Sequence, residues 1–93
     1  MTISIDTIVE KNEDVLFSDV ADGMSLMDIE SGKYFHFDQT GARIWKAIEG
    51  SVAVKDICAG LMAEYDVDAE TCLKDTVEFV GELDALGLIQ TKS

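Results

Sequence analysis

Ninety-three residues with 47% hydrophobic and 28% charged side chains and no proline suit one domain with a single small core, which excludes large multidomain catalytic architectures. Seven Lys and Arg against nineteen Asp and Glu leave a net charge of −12, a field that repels phosphate backbones and anionic headgroups, so neither nucleic acid nor a membrane surface is expected as a partner. The longest apolar runs, such as Val52-Ala53-Val54, fall far short of the ~20 residues a membrane helix needs. The opening Met1-Thr2-Ile3-Ser4-Ile5-Asp6 lacks both the basic leader and the apolar stretch of a secretory signal, so the expected location is the cytoplasm.

Residues 1–14 are read as an N-terminal segment that need not be ordered, and residues 15–90 as the domain. Residues 15–20, 24–29 and 33–37 have the short, apolar, turn-bounded character of strands. Ala21-Asp22-Gly23 and Glu30-Ser31-Gly32 connect them, and such three-residue connections with Gly suit hairpins with a bulge. The result is a three-stranded antiparallel meander whose third strand is rich in aromatic residues. Alternation there places Tyr34 and His36 on one face, Phe35 and Phe37 on the other.

After Asp38 the period changes to that of helices. Asp38 is a suitable N-cap for a short helix to about Ile48, with Ile44, Trp45 and Ile48 at helical spacing and Gly50 ending the turn. Residues 54–65 form a second helix with a stripe of Val54, Ile57, Cys58, Leu61, Met62 and Tyr65. The third opens on Asp68 as N-cap and runs to Leu86, where Gly87 is the left-handed stop before Leu88-Ile89. Its apolar residues make two rows, Leu73, Val77 and Val80 against Cys72, Thr76, Phe79, Leu83 and Leu86, so one side could face the core and the other a partner. Cys58 and Cys72 fall on helices without a paired-cysteine motif and read as reduced, half-buried thiols.

The expected fold is α+β: a winged helix-turn-helix, with a three-stranded antiparallel β-meander followed by three α-helices. Such modules usually read DNA, but from Asp68 to Asp84 the recognition helix would carry six acidic residues and one lysine, the wrong balance for a phosphate-lined groove. Catalysis needs a nucleophile or base with an orienting partner, and one histidine with two scattered thiols makes no such constellation. His36 with Cys58 and Cys72 lacks metal-ligand spacing, so no metal, cofactor or enzymatic activity is expected. Gly23-Met24-Ser25-Leu26 resembles the serine string of acyl carrier proteins, but those place Asp directly before the serine at a helix start, so this stays a distant alternative. What remains is a binding module in which an exposed strand edge beside the third helix accepts an extended peptide.

The run Ser31-Gly32-Lys33-Tyr34-Phe35-His36-Phe37-Asp38-Gln39-Thr40-Gly41-Ala42-Arg43-Ile44-Trp45 resembles a segment of PqqD-like proteins, and Asp75, Phe79-Val80, Leu83 and Gly87-Leu88-Ile89 resemble that family's ending. The similarity extends from about Val15 to Gln90. It implies a RiPP recognition element, a non-catalytic chaperone that captures the leader of a ribosomally made precursor peptide and presents it to a modifying enzyme or leader peptidase. The leader would add a strand beside the third strand, at Lys33, Tyr34, Phe35, His36, Phe37 and Asp38. It would lie against the third helix at Cys72, Asp75, Thr76 and Phe79. Proteins of pyrroloquinoline quinone synthesis usually carry a Pro-Glu pair before the third strand and Cys-Asp-Gly after the first helix. This chain has no proline and reads Ile48-Glu49-Gly50, so it looks closer to stand-alone recognition proteins of lasso peptide and related clusters. The alternative within the family is a PqqD-type chaperone delivering its precursor to a radical SAM enzyme. The acidic surface is expected to favour basic leader residues or a basic partner enzyme.

Overall fold

Alternation in the central strands decides which of their faces is buried, and the rest of the chain packs on that face. The computed structural model describes residues 3–92. In chain order the elements are β1 (Ile8–Lys11), β2 (Val15–Val20), β3 (Gly23–Asp28), β4 (Lys33–Asp38), α1 (Gln39–Ala47), β5 (Val52–Ala53), α2 (Val54–Glu64), α3 (Ala69–Ala85) and β6 (Ile89–Lys92). Strands β2, β3 and β4 form the expected antiparallel meander in that order. Met24 and Leu26 of β3 are fully buried, and their neighbours Phe37 and Phe35 on β4 point the same way. Tyr34, on the opposite face, is 71% exposed.

The two hairpins differ from expectation in their connections. Val20 pairs with Gly23, so only Ala21 and Asp22 remain in the first turn and the ladder carries no bulge. Gly23 sits at φ +156°, and a Cβ there would overlap the Phe37 carbonyl oxygen, so close approach of β4 requires glycine. Residues 29–32 make the second connection, organised by Asp28, whose carboxylate accepts the Glu30 N–H at 3.2 Å and the Ser31 hydroxyl at 2.9 Å.

Local capping sets the starts of α1 and α3, whereas α2 opens on Ala53 without a side-chain cap and its Val54 N–H donates to the Thr7 carbonyl at 3.0 Å. The Asp38 carboxylate accepts the Gly41 N–H at 3.0 Å, and that of Asp68 accepts the Thr71 N–H at 3.1 Å. The backbone hydrogen bond from Thr71 holds the Asp68 carboxyl below its ordinary range. On α1, Ile44 and Trp45 are buried; on α2, Val54, Ile57, Cys58 and Leu61 are buried, while Met62 and Tyr65 of the expected stripe lie at its exposed border. The core-facing stripe of α3 is Cys72, Thr76, Val80 and Leu83, which cuts across the two rows read from the sequence. Leu86 is exposed.

A second three-stranded sheet, ordered β5-β1-β6, goes beyond the expected meander. Ile8 pairs with Ala53 on one side and Lys92 on the other, drawing both ends of the chain together. Val9 is fully buried and Ile3 nearly so, which places residues 3–11 in the folded body rather than outside it; residues 1 and 2 lie outside the described residues. The Asn12 side-chain amide donates to the Gly87 carbonyl at 2.6 Å, tying the end of this strand to the stop of α3.

Candidate functional site

Strand β4 pairs with β3 along one side only, so its other edge presents main-chain donors and acceptors without a strand partner in this sheet. That edge overlooks a groove of about 500 Å3. His36, Phe37 and Asp38 form one wall, Asp75, Glu78, Phe79 and Glu82 of α3 the other, and Thr40, Gly41 and Ile44 of α1 the base. The rings of Phe37 and Phe79 meet edge to face, with centroids 5.1 Å apart and planes at 88°. Gly41 makes this contact possible: a Cβ there would stand 2.8 Å from Phe79 Cε1 and 3.1 Å from Phe37 Cβ.

Four carboxylates, those of Asp38, Asp75, Glu78 and Glu82, line the groove with no lysine or arginine among its walls. Walls that pair the Phe37 and Phe79 rings with carboxylates suit a peptide that offers apolar anchors and flanking basic side chains. The other free edge, β2, lies beside Lys46, which pairs with Asp19 at 2.9 Å and stands over the Phe17 ring. A lysine beside an edge strand disfavours addition of a further strand.

Of the residues expected to contact a peptide, His36, Phe37, Asp38, Asp75 and Phe79 come together in the groove. Lys33 and Tyr34 are exposed farther along β4, and Phe35 is half-buried against the core. Cys72 and Thr76 are buried; both line a smaller cavity between α1, α2 and α3. Cys72 lies against Cys58, each thiol donating to the other's carbonyl at 3.9 Å, and burial with the neighbouring thiol pushes the Cys72 pKa up. Sequence reasoning missed Thr40, Gly41, Ile44, Glu78 and Glu82. The last two carried a signal, since Asp75, Glu78, Phe79 and Glu82 recur at 0, 3, 4 and 7 along one helical face. Among the described residues no group of three or more His, Cys, Asp or Glu is placed to hold a metal ion. No helix among them is long and apolar enough to cross a membrane.

The family model for coenzyme PQQ synthesis protein D (PqqD) matches residues 23–89, from the start of β3 to the first residue of β6 and so across the whole groove. The chain belongs to the PqqD family. No curated protein matches the sequence. Among solved structures, TbiB1 in complex with the TbiA(beta) leader peptide is similar at 27% identity with a TM-score of 0.77, covering 90% of this chain and 98% of that one. A lasso peptide synthetase B1 complexed with a leader peptide shares the fold, with a TM-score of 0.68 at 22% identity over 88% of this chain and 96% of that one. Both cover nearly their full length, so this PqqD-family chain and its structural relatives are domains of similar extent.

Proposed function

We propose that this PqqD-family chain is a non-catalytic recognition element that binds the leader region of a ribosomally made precursor peptide by strand addition beside β4. It then presents the precursor to a leader peptidase or other maturation enzyme. The observation that carries the reading is the free edge of β4 facing α3 across a groove with an aromatic ring in each wall. Main-chain hydrogen bonds hold the leader in register, while Phe37 and Phe79 take apolar anchors. The four groove carboxylates attract basic leader residues, and the net charge of −12 favours a partner enzyme with a basic face. The absence of proline and the Ile48-Glu49-Gly50 sequence favour a lasso-type or related pathway over pyrroloquinoline quinone synthesis, and likeness to TbiB1, solved with a leader peptide, supports leader binding.

The test is a heteronuclear NMR titration of the labelled protein with the leader peptide of the precursor encoded beside its gene. Saturable shifts clustered on residues 33–38 and along α3 are expected; their absence with a verified leader would remove the proposal. Phe79→Ala is the informative variant, because Phe37 is only 8% exposed and its truncation would damage the core as well as the groove. Phe79→Ala is expected to weaken binding by about tenfold or more, as loss of an aromatic anchor does. Raising salt from about 0.05 to 0.5 M should weaken it further if the groove carboxylates contribute. Affinity indifferent to salt would remove the electrostatic part and leave strand addition standing.

A further inference from the structure

Both cysteines of the chain sit in one buried contact between α2 and α3. Cys58 lies on α2 and Cys72 in the first turn of α3, on either side of the connection formed by residues 65–68. Each thiol donates to the other residue's carbonyl oxygen at 3.9 Å. Contacts that are reciprocal in this way hold the two side chains side by side across the helix interface. The same adjacency acts on the Cys72 thiol, whose pKa is pushed up first by burial and then by the Cys58 thiol beside it.

Packing alone gives no reason for two thiols here. A thiol is a weak donor, and contacts of 3.9 Å add little to what a small apolar side chain supplies at the same place. What two adjacent thiols have, and no apolar pair has, is the capacity to join. A fold that holds them together before the reaction lowers the entropic cost of bringing the sulfurs within bonding reach.

We propose that Cys58 and Cys72 are a modification site, a dithiol that a peroxide converts to an internal disulfide and that thereby locks α3 onto α2. Asp75 and Phe79 follow Cys72 by three and seven residues along α3, so the lock fixes the turns that carry the α3 wall of the β4 groove. In the first step one thiol, as thiolate, attacks a peroxide oxygen: an S–O bond forms, the O–O bond breaks and hydroxide leaves. In the second, the other sulfur attacks the sulfenic sulfur: the S–S bond forms, the S–O bond breaks and hydroxide leaves again. The two thiol protons convert both hydroxides to water, so two thiols and one hydrogen peroxide give one disulfide and two waters, with sulfur oxidised and peroxide reduced. Both residues are only 4% exposed, which admits a small oxidant slowly and shields the finished bond from larger thiol reductants. The pair is therefore a lock that persists, not a fast sensor.

Hydrogen peroxide is added to the folded protein without denaturant, and the product is digested without reductant. Fragmentation of the peptides then separates the chemistry at the cysteines from oxygen added to methionines. The expected product is a monomer in which the peptides bearing Cys58 and Cys72 are linked to each other. Its Tm should stand about 10 °C above that of the same sample reduced in urea and refolded, as closing a loop of about 15 residues in a small domain allows. Methionine oxidation cancels in that comparison. Cys58→Ser and Cys72→Ser should each take oxygen on the remaining thiol and show no such difference. Oxygen added to both thiols of the wild type without a link, a link between chains, or a link with no gain in Tm would overturn the proposal. So would thiols that stay reduced through prolonged exposure to millimolar peroxide. Should either serine variant fail to fold, the wild-type comparison before and after reduction still decides. Failure of the lock would leave strand addition beside β4 untouched, because that reading requires neither sulfur.

Discussion

Gly41 and Phe79 are expected to be energetically coupled, and the coupling can be worked from the packing. Gly41 lies inside α1 at a backbone conformation open to any residue, so Gly41→Ala should gain about 1 kcal/mol of helix propensity. The added methyl, however, would stand 2.8 Å from Phe79 Cε1 and 3.1 Å from both Phe79 Cζ and Phe37 Cβ. Relieving such crowding costs about 1–3 kcal/mol, so the single variant should lose about 0–2 kcal/mol. Phe79→Ala forfeits the edge-to-face contact, about 0.5–1.5 kcal/mol, and part of the burial of a half-exposed ring, about 2 kcal/mol in all. In the double variant both contacts with Phe79 are gone and only the 3.1 Å approach to Phe37 Cβ remains, so most of the helix gain returns. The pair should therefore be less destabilised than the sum of the singles by about 1–3 kcal/mol. Thermal and urea unfolding of the four proteins measures this, with about 4–8 °C in Tm per kcal/mol for a domain of this size. Additivity within about 0.5 kcal/mol, or a Gly41→Ala protein stabilised by the full helix gain, would refute the argument.

Gly23→Ala should cost about 3 kcal/mol or more, because a Cβ at φ +156° overlaps the Phe37 carbonyl and crowds the Asp38 backbone at 2.7 Å; wild-type melting in this variant would contradict the β3–β4 geometry. Asp68 is held below its ordinary carboxyl range, first by the backbone hydrogen bond from Thr71, so it contributes stability above its unfolded pKa and loses it as pH falls through the folded value. Asp68→Asn keeps the capping acceptor without titrating, so its Tm between about pH 5 and 2 should fall less steeply than wild type, and parallel curves would count against the cap. The raised Cys72 pKa and the burial of both thiols predict that iodoacetamide labels the native protein far more slowly than the urea-unfolded chain at pH 8, a contrast that equal rates would abolish.

Short-range chemistry in the sequence was enough for the meander, the starts of α1 and α3 and the inward and outward faces of β4. Alternation needs only neighbouring residues, and an Asp cap needs a donor three residues on, as at Asp38 and Asp68. The resemblance carried by residues 31–45 and the Gly87-Leu88-Ile89 ending likewise pointed to the family that matches residues 23–89. Tertiary structure decided what depends on residues far apart in the chain. The β5-β1-β6 sheet joins strands of only two to four residues, too short to show a period, and Ile8 finds its partners at Ala53 and Lys92 only once the helices have folded back. The rotation of α3 was degenerate while its apolar residues formed two rows, and packing against α1 and α2 selected the stripe of Cys72, Thr76, Val80 and Leu83. That choice turned Asp75, Glu78, Phe79 and Glu82 toward β4 and buried Thr76 in the core. A helix can show its apolar residues in sequence, but only the elements packed around it determine which of them it hides.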